Sequence, residues 1–128
     1  MRKITRKGLI RKLDKIFSLK VREIGRCEFM GKDTISCSKQ LQCAHIIGRG
    51  RKVIRWDLQN ALCICSGHHV YYTNNPERWR NMLMNFYPER LAYLEVQAEK
   101  VWDKNLDKVL MQLTDWEEIK KKLESIKE

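Results

Sequence analysis

The chain has 128 residues, 43% of them apolar, and 26 lysines and arginines stand against 16 acidic residues for a net charge of +10. This suits one domain with a modest core, a size at which a metal staple adds stability. No apolar run is long enough to span a membrane, and the basic start Met1–Lys7 lacks the features of a secretory signal, so a cytoplasmic protein is expected.

Residues 5–24 read as a basic helix, because Leu9, Ile10, Leu13, Ile16 and Phe17, with Val21 and Ile24, recur at steps of three and four while lysines and arginines fill the other face. Gly25 is placed to end it. Residues 27–42 are polar and turn-prone, a loop or short hairpin framed by cysteines. Leu41–Ile47 reads as a first strand, residues 48–55 as a mobile basic loop whose glycines allow close backbone approach to a ligand, and Asn60–Cys65 as a second strand. His68 to Tyr72 begins a helix that breaks near Asn74-Asn75-Pro76. Proline opens the helix Pro76–Phe86 and the one after it, where Leu91, Leu94, Val96, Ala98 and Val101 supply an apolar side. Asp115–Lys127 has an acidic start, a lysine-rich end, and Trp116, Ile119, Leu123 and Ile126 at helical spacing. Trp56, Tyr71, Tyr72 and Trp79 read as core aromatics. The expectation is one domain over 1–128: a basic helix (5–24), a central core (27–75) and a helical C-terminal part (76–128).

The charge is one-ended. Residues 1–55 hold 16 basic and 4 acidic side chains, whereas residues 56–128 hold 10 and 12. Such an excess points to a polyanion, nucleic acid ahead of an anionic membrane, because no exposed aromatic anchors accompany the basic segment. Five cysteines in a cytoplasmic chain argue against a disulfide framework and for metal binding. The competing explanation is core packing, and Cys63 is the best candidate for it.

All three histidines and three of the five cysteines fall between Cys43 and His69. The ordered pieces are Cys43-Ala44-His45, Arg55-Trp56-Asp57-Leu58-Gln59-Asn60 and Cys65-Ser66-Gly67-His68-His69, with Asn60 fifteen residues after His45 and His69 nine further on. Over residues 27–76 this order resembles the HNH endonucleases of the His-Me finger, or ββα-metal, class, in its phage form typified by NinG-like recombination nucleases. The resemblance implies a mostly helical α+β fold, with a ββα-metal hairpin-helix core, a structural zinc site and flanking helices. It assigns His45 as general base, Asn60 as the residue that ties the inter-strand segment to the backbone, and His69 as ligand of one catalytic Mg²⁺ or Mn²⁺. It also implies metal-dependent hydrolysis of DNA leaving a 5′-phosphate and a 3′-hydroxyl, in a host cytoplasm if the chain is phage-encoded. Histidine suits proton abstraction near neutral pH, and a divalent cation suits the charge on phosphate and leaving oxygen.

The zinc expectation rests on Cys65-x-x-His68 as one half-site, with His68 in place of the family's second cysteine. Cys27 is followed by Met30 where the family has a cysteine, so Cys27 pairs with Cys37 across a longer knuckle, and Cys43 is the rival to Cys37. Ala44 stands where many HNH enzymes carry a further metal ligand, which leaves the catalytic ion to one side chain, water and phosphate. Arg49, Arg51, Lys52 and Arg55 are the expected phosphate contacts, although Arg55 could instead be fixed by Asp57 or an acidic helix. Asp57 could supply charge or hold a turn. The rival function is a non-catalytic zinc-finger DNA-binding module. Neither the form of DNA nor the oligomeric state is readable from the sequence.

Overall fold

The computed structural model describes residues 4–126; Met1, Arg2, Lys3 and the expected helix end at Lys127 lie outside the described residues. Within them the chain is a small, mostly helical α+β fold, with seven α-helices and one two-stranded antiparallel sheet. None of these helices is long and apolar enough to cross a membrane.

The first helix, α1 (Arg6–Arg22), begins where Thr5 Oγ1 accepts the Gly8 N–H at 3.0 Å. Leu9, Leu13, Phe17 and Val21 recur every four residues and are all buried, whereas Ile24, past the helix end, is 46% exposed. Gly25 has φ 77°, the left-handed conformation that glycine adopts at no steric cost. The segment after it stays irregular and runs along the sheet: the Glu28 N–H donates to the Cys63 carbonyl at 2.7 Å and Glu28 Oε2 accepts the Cys63 N–H at 2.8 Å.

Strands β1 (Leu41–His45) and β2 (Ala61–Cys65) pair with Leu41 opposite Cys65, Cys43 opposite Cys63 and His45 opposite Ala61. Every residue of β2 is buried, because the sheet is covered on both faces. Leu62 and Ile64 join a core with Phe29, Ile54, Tyr72, Leu83 and Leu94. Ala61 and Cys63 join a second core with the apolar stripe of α1, Trp56, Leu110, Trp116, Ile119 and Leu123. Cys63 is therefore a packing cysteine, fully buried.

The connection between the strands corrects one expectation. Residues 48–55 are not all loop, since Lys52–Arg55 forms the short helix α2, with Val53 and Ile54 buried beneath it. Apolar side chains at adjacent positions anchor that turn, and only Gly48–Arg51 remains outside it. Asp57 then caps a 3₁₀ turn, Leu58–Asn60, by accepting the Gln59 N–H at 2.9 Å, and its other oxygen accepts the Tyr93 hydroxyl at 2.8 Å. It holds a turn.

Helix α3 (Ser66–Thr73) follows β2 directly. Helices α4 (Pro76–Phe86) and α5 (Pro88–Ala98) each open on proline, and α6 (Asn105–Met111) and α7 (Trp116–Ser125) complete the second core. Helix α5 stops at Ala98, so Val101 lies outside it and is 87% exposed, and Val96 also faces solvent; Leu94, Ala98 and half-buried Leu91 form the inward side. Asp115 Oδ2 caps α7 by accepting the Glu118 N–H at 3.2 Å. Trp56 and Tyr72 are buried, and Tyr71 and Trp79 pack half-buried against the first core.

Candidate active site and metal centre

Four side chains converge where the irregular segment meets the start of α3. The ligating atoms of Cys27, Cys37, Cys65 and His68 all lie within 4.8 Å of one another. His68 Nδ1 is 3.6 Å from the Cys27 sulfur, 3.7 Å from that of Cys37 and 3.0 Å from that of Cys65. A tetrahedral zinc with three thiolates and one imidazole has ligand–ligand edges of about 3.6 Å. Cys37 therefore completes the set, and Cys43, on β1 opposite Cys63, does not belong to it.

The surroundings fit a cation of this type. His68 Nε2 is 2.9 Å from Asp33 Oδ1; a carboxylate only accepts, so Nε2 carries the hydrogen and the Nδ1 lone pair faces the sulfurs. Asp33 also accepts the Tyr72 hydroxyl at 2.6 Å and the Ile35 N–H at 3.0 Å. Partial burial would raise its carboxyl, but these bonds and the one to His68 hold it below the usual range. The Cys65 N–H points at the Cys27 sulfur (3.3 Å) and the His68 N–H at the Cys65 sulfur (3.4 Å), donors suited to thiolates. Burial pushes the Cys65 thiol up, yet the hydrogen bonds to His68 and Ser38 outweigh it and bring it down to about 6. The cluster could hold a metal such as zinc, binding the irregular segment to the start of α3.

The second constellation lies on the other side of the hairpin. His45 ends β1 and His69 sits in the first turns of α3, and both border a groove of about 890 Å³ whose rim includes Lys15 and Ser18 of α1, Gln42 of β1 and Arg49. Both also border a smaller recess of about 230 Å³ walled by Ala44, Pro76 and Trp79.

Hydrogen bonding sets the tautomer of each ring. His45 Nε2 is 2.8 Å from the Arg55 carbonyl oxygen, so Nε2 donates and Nδ1 keeps its lone pair. His69 Nδ1 is 2.7 Å from Gln42 Oε1, so Nδ1 donates and Nε2 keeps its lone pair. Burial is the largest influence on His45 and moves it below its ordinary value; the Arg55 carbonyl and Asp14 pull upward, and the charges of Arg49 and Arg55 push further down. Burial also lowers His69. Each ring is thus a neutral imidazole at neutral pH. Phe17 of α1 packs against the His45 ring with centroids 5.6 Å apart.

Asn60, fully buried, staples the segment between the strands. Its Oδ1 accepts the Ile47 N–H at 2.7 Å, and its Nδ2 donates to the Ile47 and Ile54 carbonyls at 3.0 and 3.1 Å. It thereby ties the chain just after β1 to α2 itself.

The four basic side chains expected at phosphates separate. Arg49 borders the groove with its side chain 63% exposed, and Arg51 is exposed nearby. Lys52 instead lies with its ammonium 5.6 Å from the Trp102 ring centroid. Arg55 is engaged with Asp14 of α1, Nε to Oδ1 at 3.0 Å and Nη2 to Oδ2 at 2.7 Å, so an acidic group on a helix fixes it. Its side chain is 17% exposed and occupied.

Comparisons with family models, with curated proteins and with solved structures find no match to this chain.

Sequence reasoning missed Asp14, Asp33 and Gln42. Asp14 had a signal, being the one acidic residue in α1. Asp33 and Gln42 had none, since neither spacing nor periodicity marks a residue that orients an imidazole on a different element.

As a site for a catalytic cation, the groove offers the lone pairs of His69 Nε2 and His45 Nδ1 and, among its lining residues, no unpaired carboxylate, since Ala44 is apolar and buried and Asp14 is taken up by Arg55. Such a donor set fits a cation that draws most of its ligands from water and a phosphate.

Proposed function

We propose that this chain is a metal-dependent endonuclease of the HNH type, hydrolysing DNA phosphodiester bonds around a ββα-metal core made of β1, β2 and α3. The observation that carries this reading is the pairing of His45 and His69 on one groove, each held by a hydrogen bond that leaves its other nitrogen with a lone pair.

In this reading His45 Nδ1 takes a proton from the water that attacks phosphorus; the new bond joins water oxygen to phosphorus, and the bond from phosphorus to the 3′ oxygen breaks. The neutral state of His45, maintained chiefly by burial, is the state a base requires. A Mg²⁺ or Mn²⁺ ion at His69 Nε2 would supply positive charge to the phosphate and the leaving oxygen. Asn60 keeps the segment that carries Arg49 and Arg55 in register with the hairpin. Lys15 and Arg49 on the rim attract the DNA backbone without reading sequence. The zinc cluster braces the start of α3 and hence His69.

One observation favours a rival. Ala44 gives the groove no second metal ligand, which suits a DNA-binding zinc module without catalysis. Incubating plasmid and oligonucleotide DNA with the protein in Mg²⁺, Mn²⁺ or EDTA separates the two. The nuclease reading expects cleavage that EDTA abolishes, with 5′-phosphate ends. Zinc-loaded protein that binds DNA and cuts none of these substrates supports the module instead.

A further inference from the structure

The groove contains one device that neither the histidines nor the zinc cluster accounts for. Asp14, midway along α1, receives three donors from two consecutive residues: Arg55 Nε at 3.0 Å, Arg55 Nη2 at 2.7 Å and Trp56 Nε1 at 2.9 Å. The remaining arm of Arg55 donates to the Arg49 carbonyl at 3.1 Å, and the Arg49 guanidinium lies 4.0 Å from Asp14. One carboxylate thus gathers the chain from residue 49 to residue 56.

The backbone gathered there needs an external hold. Helix α2 is four residues long, and Arg51 provides no side-chain cap for it. A helix so short has little stability of its own. The Arg55 carbonyl, at its C-terminal end, has no helical partner ahead of it. That same carbonyl accepts the His45 Nε2–H at 2.8 Å. One turn along α1 from Asp14, Phe17 packs on the His45 ring. The first helix therefore holds the imidazole twice, directly through Phe17 and at one remove through the side chain and carbonyl of Arg55.

We propose that Asp14 is a positioning residue for His45: by clamping Arg55 it fixes the carbonyl that binds Nε2–H, and so keeps the Nδ1 lone pair of His45 free. Its catalytic consequence rests on the nuclease reading; its effect on the imidazole does not. An ordinary surface ion pair that merely docks α1 would contribute to stability and leave the ring alone.

The test uses the full zinc-loaded chain. Long-range ¹H–¹⁵N spectra of the imidazoles report the tautomer of His45 in the parent, Asp14→Ala, Asp14→Asn and Asp14→Glu. Lys12→Met serves as control, because Lys12 joins α1 to the end of α6 and makes none of the Asp14 contacts. The parent should show a single Nε2–H tautomer. Asp14→Ala should admit a measurable Nδ1–H fraction, Asp14→Asn a smaller one, and Asp14→Glu should restore part of the parental spectrum. Where cleavage is observed, Asp14→Ala should lower kcat by about tenfold to a hundredfold, the scale for a group that orients a functional histidine, with KM unchanged. Lys12→Met should lose thermal stability and keep both tautomer and kcat. Should Asp14→Ala fail to fold, Asp14→Asn carries the same comparison. An Asp14 variant that melts early yet keeps the parental His45 spectrum and kcat overturns the proposal. If no variant, the parent included, cuts DNA, the nuclease reading fails, and the spectra alone decide the role of Asp14.

Discussion

Asp33 holds His68 from behind: its Oδ1 accepts the Nε2–H at 2.9 Å, on the opposite side of the ring from the three cysteine sulfurs. A carboxylate so placed fixes the ring orientation and strengthens the imidazole as a donor to a metal. The purified protein should contain about one zinc per chain. Asp33→Ala should keep that zinc at saturating metal while weakening its affinity about tenfold to a hundredfold, read by competition with a chromophoric chelator. Cys65→Ala and His68→Ala should lose the zinc outright and melt at lower temperature. Unchanged melting of the metal-stripped protein would remove the cluster from the account of stability.

His45 and His69 should fail in different ways. His45→Ala should cost cleavage about 10²- to 10⁴-fold, the range for a positioned base, with zinc content and DNA affinity intact. His69→Ala should also stop cleavage but regain part of it at high Mn²⁺, because what it loses is a cation ligand. Parental cleavage by His45→Ala would end the assignment of the base.

The pH dependence has a sign that follows from burial. His45 sits below its ordinary value of 6.5. A base acts when unprotonated, so the rate should rise with pH through that depressed value and level off above it. The acid midpoint should therefore fall below 6.5. Stability runs the same way: the unfolded chain binds the proton more readily, so the contribution of His45 is complete above 6.5 and is lost as pH falls through the folded value. A rate profile with its acid midpoint above 6.5 contradicts this.

Lys12 reaches across to the end of α6, donating to the carbonyls of Leu110 at 2.7 Å, Met111 at 3.1 Å and Leu113 at 2.7 Å. These include carbonyls at a helix C-terminus, where a cation is favoured. Lys12→Met keeps the aliphatic stem and removes the ammonium. It should cost about 1–2 kcal/mol in denaturant unfolding, the scale of hydrogen bonds to a charged group. An unchanged midpoint would show that water replaces the lysine at no cost.

DNA affinity should fall steeply with salt and vary little with sequence. Arg51→Ala, if Arg51 contacts phosphate, should weaken binding alike across sequences and reduce the salt slope by about 1. Arg55→Ala should leave the slope nearly unchanged, since its guanidinium is already paired with Asp14. A large slope change in Arg55→Ala would mean that the pair opens on DNA.

The elements legible in the sequence were those with a local cause. The stripe of α1, the prolines opening α4 and α5 and the acidic cap of α7 each act within a few residues, and the structure has helices at all of them. Cys27, Cys37, Cys65 and His68 converge as their chemistry suggests, and only the fold decides between Cys37 and Cys43, because strand register sends Cys43 to face Cys63. Asn60 bonds Ile47 and, within α2, Ile54, tying the inter-strand segment to the backbone as the HNH resemblance implied. What stayed hidden were relations between distant elements. Arg55 reads either as a phosphate contact or as a cation fixed by Asp57 or a helix, and only the placing of α1 shows Asp14 to be its partner. Residues 52–55 read as flexible because glycines precede them, yet Val53 and Ile54 each find a core beneath.

The second core joins the first helix to the last two, since Leu9, Leu13 and Phe17 share it with Leu110, Ile119 and Leu123. On a ribosome α1 emerges well before these partners. The hairpin and α3 can form while the chain is still being made, but the apolar face of α1 stays partly uncovered until residue 123 has cleared the exit tunnel. Helix α1 also carries Phe17 and Asp14, so the full hold on His45 settles only once α6 and α7 have been made and cover that face.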